Sequence, residues 1–260
     1  MQAAAFFDLD KTVIAKSSTL AFSRSLRRAG MLGRRAMLRA ALGQLVYTLF
    51  GADHDQMEKA RTAMLELSRG WQSAEIEELV EEALDDVIAP LVYAEALFLI
   101  DEHLREGRRV FIVSASPQEV VRPLAHYIGV DEVIATRSRT DAAGYFTGEL
   151  EFYSYGEGKV DEIERIAERD DLSLADSYAY SDSATDLPLL EAVGNPHAVN
   201  PDKELRAVAE EKGWPVLEFT RQVSLRARLT RPVPIISGAT VAAGVGVLVA
   251  AAIIRARKKR

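Results

Sequence analysis

The chain has 260 residues, 48% hydrophobic and 27% charged, with a formal net charge of −7 and no cysteine. That length and balance exclude wholesale disorder and a disulfide scaffold, and they leave ample chain to bury a core. The lack of cysteine excludes a thiol nucleophile, an iron–sulfur cluster and a Cys-ligated zinc.

Charge is distributed unevenly. From Arg221 onward nine Arg and Lys meet no Asp or Glu, so residues 1–220 carry −16 and the remainder +9. An acidic body argues against a general nucleic-acid binder, and no nucleic-acid partner is expected.

The run AAAFFDLD (3–10) reads as a strand, continuous and apolar as befits a parallel strand covered on both faces. It leads into Asp8-Leu-Asp10-Lys-Thr12. Two carboxylates at the end of a buried strand repel each other unless a cation or a proton lies between them. The same pair also reads as an ordinary strand-end turn.

Residues 14 to about 100 are helical in pattern, rich in Ala, Leu, Arg and Glu, without a convincing strand. They are read as a helical insertion. Within it Arg24, Arg27, Arg28, Arg34, Arg35 and Arg39 form a basic stretch free of acids, either a solvated face or a surface for anionic lipid.

Further apolar runs follow. RRVFIVSAS (108–116) ends in Ser114-Ala-Ser116, where a hydroxyl and backbone N–H groups opening a helix suit a phosphate. The helical PQEVVRPLAHYIG closes on Gly129, and DEVIATR (131–137) reads as the next strand. DAAGYFTGEL (141–150) reads as a hairpin turning at residues 141–144. Gly156-Glu-Gly158-Lys159 sets a lysine at the start of a helix that closes near Asp170 and Asp171, and SYAYSDS (177–183) ends in Ser181-Asp182 with Asp186 four residues on. HAVN (197–200) and PVLEF (215–219) complete the strands. Strands alternating with helices predict a doubly wound α/β core with its site at the carboxyl ends of the strands. Asn195-Pro196 reads as either a loop beside that site or a simple turn. His54, His103, His126 and His197 lack metal-ligand spacing and are expected on the surface or at caps; Trp71 and Trp214 are read as packing residues.

In that order, DLDKT, the serine after an apolar strand, Lys159 and SDSATD resemble the four motifs of the haloacid-dehalogenase-like phosphohydrolases. The insertion after the first motif and the GEGK wording resemble the phosphoserine-phosphatase-like branch. The resemblance covers residues 3–200. It implies a Mg²⁺-dependent hydrolase of a small or lipid-linked phosphomonoester. Asp8 would be the nucleophile that forms an aspartyl-phosphate, and Asp10 the general acid and then base. Ser114 and Lys159 would hold the phosphate, with Thr12 supporting the loop at that site. Mg²⁺ would sit on the Asp8 and Asp182 carboxylates and the Asp10 carbonyl, with Asp186 in support. The glutamate by which phosphoserine phosphatases recognise their substrate would fall near Ser17, where this chain has no acid. The other readings are a phosphoserine phosphatase proper, a phosphotransferase or phosphonate-cleaving enzyme on the same scaffold, and a tethered regulatory module without catalysis.

The expected organisation is a core of residues 1–13 and 100–220, a helical cap over 14–99, a basic linker over 221–232, a transmembrane helix over 233–254 and a basic tail over 255–260. Residues 232–254 carry no charge and are long enough to span a bilayer. The reading is therefore a single-pass C-terminal anchor with a cytoplasmic body. Gly238, Ala242 and Gly246, four residues apart, suit close packing of two such helices and point to a homodimer.

Overall fold

The computed structural model describes residues 1–31 and 54–222, with backbone alone for 54–60. Strand β1 (Ala4–Asp8) is buried along its whole length. Side chains alternate between the faces of a strand, and here Ala5 and Phe7 enter one apolar cluster while Ala4 and Phe6 enter another. Four successive apolar residues, Ala4 to Phe7, need cover on both faces, which a central parallel strand obtains. β1 pairs in parallel with β2 (Arg109–Pro117) on one side and with β5 (Tyr178–Ser181) on the other.

Beyond β2 lie β3 (Glu132–Thr140) and β4 (Phe146–Phe152), and beyond β5 lie β6 (Asn195–Val199) and β7 (Val216–Leu217). The seven-stranded sheet has the order β4-β3-β2-β1-β5-β6-β7. β4 runs antiparallel to β3, and every other neighbouring pair is parallel. The β3–β4 turn is the expected one, with the Gly144 N–H donating to the Asp141 carbonyl at 3.0 Å. The chain steps outward one way from β1 through β4 and the other way from β5 through β7. That reversal opens a crevice at the carboxyl ends of β1, β2 and β5.

The helices are α1 (Ser18–Arg28), α2 (His54–Ser68), α3 (Ser73–Val87), α4 (Ala94–Arg105), α5 (Gln118–Tyr127), α6 (Glu157–Asp170), α7 (Leu187–Glu191) and α8 (Lys203–Lys212). One face of the sheet is covered by α4 and α5 through Leu97, Ile100, Val121 and Leu124. The other is covered by α6, α7 and α8 through Ile163, Leu189, Leu190 and Leu205. This is the doubly wound α/β architecture expected from the strand–helix alternation.

Between β1 and β2 the described residues form α1 to α4 and a short 3-10 turn, Ala89–Leu91, with no strand among them. The expected division at 99/100 falls inside α4, a helix that packs against β2. The outgoing and returning chains run side by side: Ala15 N–H donates to the Leu91 carbonyl at 2.9 Å, and Tyr93 N–H to the Val13 carbonyl at 3.0 Å. Ile76, Val80 and Leu84 recur every four residues along α3 and form its buried stripe, and α3 lies along α5. Polar contacts fasten that pair, from Ser73 to Glu119 and from Glu77 to Arg122. The loop before α3 lies on the hairpin, Gly70 N–H donating to the Phe146 carbonyl and Phe146 N–H to the Trp71 carbonyl, both at 2.9 Å.

The expected membrane localisation is corrected. Among the described residues no helix is long and apolar enough to cross a membrane, and the expected span at 233–254 lies outside the described residues, as do Arg34, Arg35 and Arg39. The described residues give no support to the anchor, its helix-mediated dimer or a lipid-linked substrate.

Candidate active site

The register of the sheet assembles the site. Asp8 pairs with Val113 of β2, so Ser114 lies one step beyond it. Phe7 pairs with Tyr180 of β5, which brings Ser181 level with Asp8 and Asp182 one step beyond. Ala115, between the buried Ser114 and Ser116, is exposed, so the strand end opens to solvent here.

Lys159 reaches the same point from the first turn of α6. The helix begins at Gly156, whose φ is 54°. A Cβ on Gly158 would lie 2.4 Å from the Tyr153 carbonyl oxygen, so only glycine allows this approach. Lys159 is 3% exposed, and its Nζ donates to Asp8 Oδ1 at 2.8 Å and to Asp186 Oδ2 at 2.9 Å. A lysine at a helix N-terminus faces the positive end of the dipole. Burial also works against its charge, but Asp186 and Asp8 outweigh it and hold the ammonium above the usual lysine range. Ser181 Oγ donates to Asp186 Oδ2 at 2.7 Å, which fixes that second carboxylate.

Asp10 is held differently. Lys11 beside it has a φ of 62°, a left-handed conformation that costs a non-glycine residue about 1–3 kcal/mol and turns the chain sharply after β1. The Asp10 carboxylate then meets the start of α1, where the Ser18 N–H donates to Oδ1 at 2.8 Å. Ser116 Oγ donates to Oδ2 at 3.3 Å. Burial raises the Asp10 carboxyl above its ordinary value, and these hydrogen bonds offset only part of the rise.

Asp182 is pushed up to about 6, chiefly by burial, against the pull of Lys11 and with the push of Asp186 and Asp202. Burial also raises Asp8 well above the ordinary range; Lys159 opposes this, and Asp186 and Asp182 add to it. Two buried carboxyls and the half-buried Asp10, all above their ordinary range around one buried ammonium, are short of positive charge. Oxygen donors in such a setting suit Mg²⁺. Among the described residues no three His, Cys, Asp or Glu side chains converge as ligands. The expected set of two carboxylates and one main-chain carbonyl does not need a third side chain, so the residues present fit the ion.

Other expectations meet the structure individually. Ser114 is buried and its Oγ accepts the Ser116 N–H at 3.1 Å. Thr12 is fully buried, and its hydroxyl has no hydrogen-bond partner. Asn195-Pro196 begins β6, at the end of the strand away from the site. Past the other end, Asp202 supports the Asp182 loop, its N–H donating to the Asp182 carbonyl at 2.8 Å and its carboxylate accepting the Ala184 N–H at 3.0 Å. His103, expected at the surface, is 4% exposed and hydrogen-bonded to the Tyr180 hydroxyl at 2.9 Å. Asp202 and the hydroxyl of Ser18 are the site residues that sequence reading passed over. Asp202 carried a signal in its position as the helix-opening acid after Asn200-Pro201.

A family model described as haloacid dehalogenase-like hydrolase matches residues 5–191, which take in the whole cluster from Asp8 to Asp186. The chain belongs to the haloacid dehalogenase-like hydrolase family. An "Inhibition of morphological differentiation protein" of Streptomyces azureus is 53% identical over 226 residues, covering 87% of this chain and 82% of that protein. A "Probable phosphatase" of Mycobacterium tuberculosis is 48% identical over 257 residues, covering 99% of this chain and 89% of the relative. A "Phosphoserine phosphatase" of the same species is 33% identical over 221 residues, covering 84% and 71%. The crystal structure of a protein of unknown function from Bordetella pertussis superposes with a TM-score of 0.74 at 34% identity, covering 84% of this chain and 98% of that one. An apo phosphoserine phosphatase, 17% identical with a TM-score of 0.57 and coverage of 89% and 100%, shares the fold. This haloacid dehalogenase-like hydrolase is thus an enzyme among relatives named as phosphatases, and the reading as a non-catalytic module is set aside.

Proposed function

We propose that this hydrolase is a Mg²⁺-dependent phosphomonoesterase that works through an aspartyl-phosphate on Asp8. The observation that carries the reading is the Lys159 ammonium, held 2.8 Å from Asp8 Oδ1 at the mouth of the strands. A buried cation beside a nucleophilic carboxylate attracts a phosphate dianion that the carboxylates alone would repel.

The Asp8 carboxylate attacks phosphorus, and a P–O bond forms to Asp8 as the bond to the leaving alcohol breaks. Asp10 gives its proton to the departing oxygen, and the rise in its pKa through burial supports that role. The resulting Asp10 carboxylate then takes a proton from a water as that water attacks phosphorus and the bond from phosphorus to the Asp8 oxygen breaks. Inorganic phosphate leaves, and both aspartates return to their starting states. Ser114 and Lys159 hold the phosphoryl oxygens, and Asp186 keeps Lys159 in place. The Asp8 and Asp182 carboxylates with the Asp10 carbonyl would hold Mg²⁺, which when bound supplies positive charge against the phosphoryl oxygens.

The substrate class is a small phosphomonoester. Phosphoserine is the second reading, favoured by the 33% identical relative of that name. Against it, the position near Ser17 that would carry a recognition acid is the start of α1 and has none.

Phosphate release by the purified full chain tests this, with and without Mg²⁺, on an aryl phosphate, phosphoserine and sugar phosphates. Mg²⁺-dependent turnover that Asp8→Asn abolishes is expected. A folded, Mg²⁺-loaded protein that releases no phosphate from any of these esters would overturn the assignment.

A further inference from the structure

Two buried hydroxyls have no part in the chemistry above. Ser18, fully buried, opens α1, and Ser116, 8% exposed, is the last residue but one of β2. They are 98 residues apart in the chain, yet their Oγ atoms lie 3.0 Å apart. Thr19 Oγ1 lies 3.3 Å from the same Ser116 Oγ. Ser116 Oγ lies 3.3 Å from Asp10 Oδ2, and the Ser18 hydroxyl also engages the Asp10 carboxyl, so the two hydroxyls and the carboxyl form one cluster. The cluster therefore joins the first insertion helix, through Ser18 and Ser116, to Asp10.

The Asp10 carboxyl is gripped at both oxygens, by the Ser18 N–H at Oδ1 and by Ser116 at Oδ2. It cannot rotate without breaking both bonds, and both lead back to the start of α1. We propose that Ser116, backed by Ser18, is the positioning residue for Asp10. The pair aims the carboxyl at the leaving oxygen and ties proton delivery to the seating of α1 on β2. This rests on the phosphomonoesterase reading above. Misplacing a catalytic group by about 1 Å can cost roughly 100-fold. That loss falls on esters whose leaving group needs a proton, and an ester with a good leaving group barely needs the acid.

The experiment follows from that difference. With the full chain and Mg²⁺, kcat/KM is measured on phenyl phosphate, a poor leaving group, and on 2,4-dinitrophenyl phosphate, a good one. Ser116→Ala is expected to lose about 10- to 100-fold on phenyl phosphate and less than about threefold on the dinitrophenyl ester. Ser18→Ala should fall the same way to a smaller extent. Ser116→Thr, which keeps the hydroxyl, should restore the wild-type ratio. That ratio does not depend on the fraction of protein folded, so a variant that is merely unstable slows both esters alike. Equal losses on both esters, or none, would overturn the proposal. Asp10→Asn serves as reference. If it splits the esters and Ser116→Ala does not, only the positioning role falls. If Asp10→Asn gives no split, or the wild type cleaves neither ester, the underlying assignment falls and takes the proposal with it.

Discussion

Lys159 and Asp8 stand 151 residues apart in the chain, yet the lysine Nζ lies 2.8 Å from the aspartate Oδ1, with both side chains almost wholly buried. A second carboxylate, Asp186, shares the same ammonium at 2.7 Å. Removing the shared cation strands two buried acids. Lys159→Met should lower the unfolding free energy by about 3–5 kcal/mol, read as a lower urea midpoint at unchanged slope. Turnover should vanish with it. An unshifted midpoint would mean that the two acids are already neutral in the fold.

Asp8→Asn should behave in the opposite way. Burial disfavours the ionised Asp8 carboxyl more than Lys159 favours it, so a neutral amide of the same shape should leave the urea midpoint unchanged or raise it while abolishing phosphate release. Stability and activity would part company at one residue. A clearly lower midpoint would show that the Asp8–Lys159 pair is a net stabiliser.

Gly158→Ala tests the start of α6. The new Cβ would meet the Tyr153 carbonyl oxygen at 2.4 Å, and main chain cannot give way as a side chain can. A stability loss of about 1–3 kcal/mol is expected. Because Lys159 is the next residue, kcat/KM should drop more than tenfold. Gly213, whose added Cβ would meet nothing within 4 Å but whose φ is +68°, is the control: alanine there should cost stability and leave turnover alone.

Asp202→Ala should weaken Mg²⁺ binding without touching the proposed ligands. Asp202 caps α8 by accepting the Leu205 N–H at 2.8 Å and braces the loop that carries Asp182. Loss of the cap should cost about 1 kcal/mol. Loss of the brace should raise the Mg²⁺ concentration for half-maximal activity about 10- to 100-fold. An unchanged Mg²⁺ requirement would confine Asp202 to capping.

The buried histidine predicts a pH dependence. Arg108, which can only donate, lies 3.3 Å from His103 Nδ1. That nitrogen therefore accepts, and the Nε2–H donates to the Tyr180 hydroxyl. A second proton would face the guanidinium. Burial first, then Arg108 and His197, push the His103 pKa down to about 4. The unfolded chain takes up its proton near 6.5. The neutral form's stabilisation is therefore complete above about pH 6.5 and is lost as pH falls toward 4, by at most about 1.4 kcal/mol per unit. His197, shifted down by burial, acts in the same direction. Asp182, raised to about 6, acts in the opposite one. Unfolding free energies at pH 7 and pH 5 for wild type and His103→Phe isolate the histidine, and the variant should show the smaller acid loss.

The strand ends were legible because a strand buried on both faces writes itself as an unbroken apolar run, and the acids and hydroxyls of Asp8, Ser114 and Asp182 stand where those runs stop. Residues brought together only by folding were not legible. The Ser18 and Ser116 hydroxyls meet across 98 residues, and neither local pattern names the other. One Asn-Pro pair begins β6 and another follows it, and composition cannot say which end of that strand faces the site. The strand's parallel register with β5 decides for Asn200-Pro201 and Asp202. His103 was misjudged because its helix is amphipathic and histidine suits either face; the aromatic rings of Phe7 and Tyr180 draw it inward.

The paired chains that leave and re-enter the core at residues 13–15 and 91–93 make the insertion separable from the sheet. Because the two ends of the insertion touch, a short loop in its place would leave β1 and β2 in register, and such a segment can be acquired or shed in one genetic event. Its removal would nevertheless bare the apolar surface beside α5 that Ile76, Val80 and Leu84 now help to cover. A shortened protein would therefore need polar residues on that side of α5 to stay soluble, while Val121 and Leu124, which face the sheet, could stay as they are.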